Sequence, residues 1–197
     1  YFKAQGCFSD GFLEYLRNFK FTGDVYAFPE GSVMFPGEPI VTVKAPIIEC
    51  SIIETYLLLS MNFNSLIATK TNRIVNSAGD RLVMEFGARR AQGADASITG
   101  ARAAYIAGAP ITSNTYSAKK YGFKASGTMA HSWIQAFDSE YQAFKTYAKM
   151  YPNNCILLID TYDTLESGLV NAMKVFKEEL VPKGLTGGVR IDSGDLA

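Results

Sequence analysis

The only histidine in 197 residues, His131, sits in the run Gly127-Thr128-Met129-Ala130-His131-Ser132. Histidine is the one side chain whose unperturbed charge change falls between pH 5 and 8. A lone histidine is more often a satisfied, half-buried side chain than a catalyst. If His131 acts, it acts as a nucleophile or a proton carrier, and either role needs a carboxylate to fix its tautomer. Zinc is not expected, because one histidine and the scattered Cys7, Cys50 and Cys155 give no ligand spacing. The chain carries other groups of defined chemistry. Arg89, Arg90 and Arg190 offer fork-shaped donors for carboxylate or phosphate. Phe86 offers a stacking face. Asp160 could hold the imidazole, and Asp192 could receive sugar hydroxyls. This is chemistry for a flat acid and a phosphorylated sugar.

These residues share a position in the pattern: each follows an apolar run that reads as a strand. Phe86 to Arg90 stand at the end of the run Leu82-Val83-Met84-Glu85-Phe86, and Thr112-Ser113-Asn114 at the end of Pro110-Ile111-Thr112. The run Lys124 to Met129 carries Thr128 near its end and leads into His131, and Asp160-Thr161-Tyr162-Asp163 follow Cys155 to Ile159. Arg190-Ile191-Asp192-Ser193-Gly194-Asp195 close the fifth run, which starts near Gly188. An Asp after a strand is often only a helix cap. Five strand ends supplying Arg, Ser, His, Asp and Arg-Asp are harder to read as solvated surface, because α/β active sites lie at the carboxyl ends of strands.

The elements that must hold these groups follow from periodicity. Helices are expected near 94–107, 116–121, 139–149 and 165–180. Strand–loop–helix repeats with buried strands imply a parallel α/β domain over 81–197, made of five βα units. An open doubly wound sheet and a barrel both fit the pattern. The uneven spacing of strand starts would make an irregular, incomplete (β/α) barrel, since closure takes about eight strands.

Residues 1–80 read as a small α+β domain. Phe8, Phe12, Tyr15, Leu16 and Phe19 mark a short helix capped at Ser9 or Asp10. Val25–Ala27, Val33–Phe35 and Ile40–Val43 read as short strands broken by Gly31, Pro36-Gly37 and Pro39. A long helix over 49–77 is apolar on nearly all sides in its first half, which predicts burial there. Gly79-Asp80 ends it, and the domain boundary is placed at 80/81.

Bulk composition narrows the function classes. Hydrophobic content of 48% with 19% charge supports a real core. Nineteen basic and nineteen acidic residues leave formal net charge 0, so neither nucleic acid nor an anionic membrane is an expected partner. The longest apolar run, around Ile52 to Leu59, is too short to span a bilayer and carries Glu54. Three irregularly placed cysteines suit a reducing, cytoplasmic setting. Tyr1 is not an initiator methionine, and the chain is expected to begin inside a longer protein.

Four runs in order, Glu85-Phe86-Gly87-Ala88-Arg89-Arg90-Ala91-Gln92-Gly93, Gly127 to Ser132, Asp160-Thr161-Tyr162-Asp163-Thr164 and Gly188 to Asp195, closely resemble nicotinate phosphoribosyltransferase. The resemblance covers essentially the whole chain. It implies ATP-coupled transfer of phosphoribosyl from phosphoribosyl pyrophosphate to nicotinate, giving nicotinate mononucleotide for NAD biosynthesis. It also implies that ATP phosphorylates His131, that Asp160 pairs with it, and that Thr128 and Arg190 contact nicotinate. By the same likeness Phe86 stacks near the pyridine, Arg89 lies close to pyrophosphate and sugar, and Asp192 lies near the ribose. Magnesium is implied with the pyrophosphate, bound mostly through substrate oxygens, and a homodimer with a shared active site is implied as the assembly.

Ser113 bears on acid against amide. The related nicotinamide-specific enzyme carries an acidic residue at the matching place, where it would repel a carboxylate, whereas serine can donate to one. Two departures from the family pattern are expected: a pyridine-closing tyrosine upstream of Tyr1, and phosphate-binding loops after Ala197. The competing readings are a same-fold enzyme using nicotinamide or quinolinate, and a non-catalytic homologue acting as a dimer subunit.

Overall fold

In the computed structural model, residues 1–194 are described. Asp195, the last residue of the fourth motif, lies outside them. Backbone contacts divide the chain into two compact units, the first ending at Ala125 and the second beginning at Ser126. The boundary expected at 80/81 marks the change in secondary-structure pattern.

The first unit opens with two short helices, α1 (Phe2–Gln5) and α2 (Asp10–Arg17). Ser9 caps α2, its hydroxyl accepting from Phe12 N at 3.3 Å. A hairpin follows, β1 (Asp24–Ala27) antiparallel to β2 (Val41–Lys44), with Asp24 opposite Lys44. Val33–Phe35, expected as a strand, is a loop instead. Its end is taken up by a tight turn: Glu38 N donates to Phe35 O, and the Glu38 carboxylate accepts from Phe35 N at 3.0 Å. Those bonds consume groups a ladder would need.

Helix α3 (Ile47–Ala78) runs 32 residues and ends at Gly79, whose φ of 62° suits glycine. Its N-terminus is tied down by buried Glu49, which accepts from Thr22 N at 2.7 Å and Thr22 Oγ1 at 2.9 Å. The first half of α3 is not buried as expected: Tyr56 is 73% exposed and Leu59 67%. The apolar ring is continuous, but α4 (Ala94–Ile106) packs along only part of it. That contact is close because α4 offers Gly100, Ala101, Ala103 and Ala104, and a Cβ on Gly100 would stand 3.7 Å from the Phe63 ring.

Strands β3 (Met84–Glu85), β4 (Ile111–Thr112) and β5 (Lys124–Ala125) form a parallel sheet in that order, with α4 and α5 (Thr115–Tyr121) as the crossovers. Crossover helices are what parallel neighbours require.

The second unit carries α6 (His131–Gln135), α7 (Glu140–Met150), β6 (Ile156–Leu158), α8 (Leu169–Val175) and β7 (Gly188–Arg190). Ser139 caps α7 by accepting from Gln142 N. The helix expected over 165–180 is continuous but irregular, with π turns at Thr164–Gly168 and Phe176–Leu180 flanking α8. β6 and β7 pair in parallel, Ile156 opposite Gly188 and Leu158 opposite Arg190. Ile134, Phe144, Leu157, Leu158, Val175 and Leu180 are fully buried and make the core under that pair. The fold is mixed α/β with parallel strands. Among the described residues no helix is long and apolar enough to cross a membrane.

Candidate functional site

The sequence-predicted residues fall into two groups, one in each unit. In the second unit, His131 is the first residue of α6 and Asp160 lies two residues past β6. The β6–β7 pairing extends one step further, since Ile159 N donates to Arg190 O at 3.1 Å. That bond brings the ends of the two strands side by side, so Asp160 and the Ile191–Gly194 stretch leave the sheet together.

The carboxylate of Asp160 divides its oxygens between two jobs. Oδ1 lies 3.1 Å from His131 Nε2. Oδ2 accepts from Asp192 N at 2.8 Å and from Ser193 Oγ at 2.6 Å. The Asp160 side chain is only 2% exposed, while His131 remains 36% exposed. Burial alone would raise the Asp160 carboxyl. The hydrogen bonds from Ser193, the Asp192 amide and His131 outweigh it and hold the group below its ordinary value, so it stays ionised. An ionised carboxylate at Nε2 favours the tautomer with the proton on that nitrogen. The lone pair is then on Nδ1, which makes no hydrogen bond among the described residues.

Arg190 ties the rest of this group together. Its Nη1 donates to Thr128 Oγ1 at 2.6 Å and its Nη2 to Asp192 Oδ2 at 3.1 Å. Its Nε is buried with no partner among the described residues. Thr128, His131, Asp160, Arg190 and Asp192 are therefore joined in one unit by two linked sets of polar contacts, both reaching the loop after β7. Ser193 belongs to the same network and was not singled out from the sequence. Its position next to Asp192 in a run of polar residues after a strand is the signal that was available.

In the first unit, Phe86, Arg89 and Ser113 follow β3 and β4. Phe86 is 42% exposed, and Arg89 sits exposed in the short turn Ala88–Arg90. Ser113 is half-buried, and its amide donates to Glu85 O at 2.9 Å. Glu85 organises both strand ends: one carboxylate oxygen accepts from Gly87 N at 2.5 Å, the other from Thr112 Oγ1 at 2.6 Å. Thr112 Oγ1 in turn accepts from Asn114 N, and Asn114 caps α5 through Ser117 N. Glu85 and Thr112 are positioning groups that periodicity does not reveal, because both read simply as the last residues of strands.

The comparisons with known proteins agree in direction. A family model described as the nicotinate phosphoribosyltransferase N-terminal domain matches residues 1–62, and one for the nicotinate phosphoribosyltransferase family matches residues 82–197. Nicotinate phosphoribosyltransferase pncB2 of Mycobacterium tuberculosis is 48% identical over 196 residues, covering 100% of this chain and 42% of that protein. The nicotinate phosphoribosyltransferase of Bacillus subtilis is 46% identical, covering 94% of this chain and 43% of that protein. The crystal structure of human nicotinic acid phosphoribosyltransferase superposes with a TM-score of 0.85 at 30% identity, over 96% of this chain and 47% of that one. The chain thus spans less than half the length of the relatives it matches.

Proposed function

The chain belongs to the nicotinate phosphoribosyltransferase family, and on that premise we propose that the whole protein transfers phosphoribosyl from phosphoribosyl pyrophosphate to nicotinate. The products are nicotinate mononucleotide and pyrophosphate, in the salvage route to NAD, with ATP hydrolysis coupled to the transfer. The observation that carries the coupled reading is the 3.1 Å contact between His131 Nε2 and the buried carboxylate of Asp160.

In this reading Nδ1 of His131 attacks the γ-phosphorus of ATP. An N–P bond forms, the bond from that phosphorus to the bridging oxygen breaks, and ADP leaves with the electron pair. Positive charge develops on the ring as the bond forms, and Asp160 Oδ1 at Nε2 stabilises it without accepting the proton. Later hydrolysis of the phosphohistidine draws the transfer equilibrium toward product.

The remaining roles are those the family resemblance implies, and the charge and shape of the residues suit them. Arg190, held by Thr128 and Asp192, presents a guanidinium to the nicotinate carboxylate, with the Thr128 hydroxyl beside it. Phe86 stacks on the pyridine, Arg89 meets pyrophosphate and sugar, and Asp192 accepts from the ribose hydroxyls. Ser113 leaves the acid unrepelled; its amide is engaged by Glu85 O while its hydroxyl makes no hydrogen bond among the described residues. Magnesium would be carried mostly on pyrophosphate oxygens and would offset their charge.

We assign the parallel strands of 81–197 to an irregular (β/α) barrel and residues 1–80 to the preceding α+β domain. A homodimer is the proposed assembly. A cytoplasmic location is the proposed setting, in keeping with three cysteines of irregular spacing. The test is to give the whole protein labelled nicotinate and labelled nicotinamide side by side, each with phosphoribosyl pyrophosphate and ATP. The acid is expected to be converted and the amide not, and Ser113→Asp should raise the KM for the acid about tenfold, as one misplaced like charge costs. Preference for the amide, or no mononucleotide from either, would overturn the reading.

A further inference from the structure

We propose that Ser193 is a positioning residue: its hydroxyl, with the Asp192 amide, pins Oδ2 of Asp160 and so reserves Oδ1 for the His131 imidazole. The inference rests on the reading of His131 as the phosphoryl acceptor. A carboxylate turns readily about its last side-chain bond, and both its oxygens can accept. Asp160 is buried at 2% exposure, so an unbonded oxygen would be costly, and the carboxylate turns toward whatever donors it finds. The structure supplies two donors to Oδ2, at 2.6 Å from Ser193 Oγ and 2.8 Å from Asp192 N. Together they fix the carboxylate plane. The opposite oxygen is left with one neighbour, the ring nitrogen at 3.1 Å.

Ser193 lies in the same stretch as Asp192, whose carboxylate accepts from Arg190. One short loop after β7 therefore bears on both the guanidinium and the imidazole. The competing role for an exposed serine in this loop is a direct ligand of the sugar or a phosphate. The two roles differ in what their loss does. A residue acting through Asp160 changes the phosphorylation step and leaves substrate affinity alone. A ligand changes affinity.

The experiment follows His131 labelling in the whole enzyme by rapid quench, using ATP labelled in its γ-phosphate. Ser193→Ala should slow labelling about tenfold, while the KM values for nicotinate and phosphoribosyl pyrophosphate stay within about twofold. Ser193→Thr, which keeps the hydroxyl, should restore most of the rate. In an Asp160→Asn background, Ser193→Ala should cost nothing further, because the two residues act as one unit. An additive loss in that background overturns the proposal. So does a raised KM for phosphoribosyl pyrophosphate with labelling unchanged, which would make Ser193 a ligand. If the unaltered enzyme takes no label, the phosphohistidine reading falls and this proposal with it; label in the unaltered enzyme with Ser193→Ala indistinguishable from it overturns this proposal alone.

Discussion

Asp160 is the residue at which fold and chemistry meet, since one of its oxygens serves the imidazole and the other holds the loop after β7. Its identity as a partner for His131 can be read from residue type and from position after a strand. The division of its oxygens cannot, because it depends on Ser193, 33 positions away. Arg190 teaches the same lesson: its charge is visible in the sequence, but its bond to Thr128 spans 62 positions. The state of Asp160 makes a prediction about stability. Burial raises its carboxyl, and the bonds from Ser193, Asp192 and His131 lower it by more, leaving it below 3.8. The stability tied to its ionised form is therefore fully present above that value and is lost as pH falls below it. Asp160→Asn should lower stability at neutral pH by about 1–3 kcal/mol. Its further loss between about pH 5 and about pH 3 should be smaller than that of the unaltered protein. Urea unfolding at both pH values measures this, and equal acid sensitivity of the two proteins would contradict it.

At the scale of elements, local chemistry was the most legible part. Ser9 caps α2 and Gly79 ends α3 as the sequence predicts, while Ser139, read as the first residue of a helix, caps α7. Strands were legible as locations but not as lengths. Leu82 to Phe86 reads as a five-residue run, yet only Met84–Glu85 finds a ladder partner, because pairing depends on neighbours the sequence does not name. The π turn at Thr164–Gly168 was invisible to periodicity. It brings Gly168 so close to the end of β6 that a Cβ there would stand 1.9 Å from the Ile159 carbonyl oxygen. Only glycine fits that approach, and the next residue in the strand direction is Asp160. Gly168→Ala should therefore destabilise the protein by about 2–3 kcal/mol through overpacking, and slow any reaction that needs Asp160 in place. A thermal melt detects the first effect; a variant melting within about 1 °C of the parent would contradict it.

On the scale of the whole molecule, two compact units account for the described residues, and large apolar side chains remain at the surface. Ile47, Tyr56, Leu58, Leu59 and Leu66 of α3 are each more than 60% exposed. Of these, Tyr56 and Leu59 lie in the half of the helix whose apolar pattern predicts burial; the pattern is a property of the residues, while exposure is a property of what packs on them. Large apolar side chains exposed along one helix promote association. The 197-residue chain by itself should bind a hydrophobic dye and sediment as more than a monomer, and a strictly monomeric, dye-silent chain would contradict that. The proposed chemistry is tested most directly by mapping the site of labelling in the whole protein incubated with ATP labelled in its γ-phosphate. Acid-labile label on the peptide carrying His131, absent from His131→Ala and formed about a hundredfold more slowly in Asp160→Asn, is the predicted result. Label that survives His131→Ala, or that forms at an unchanged rate without the Asp160 carboxylate, would contradict it.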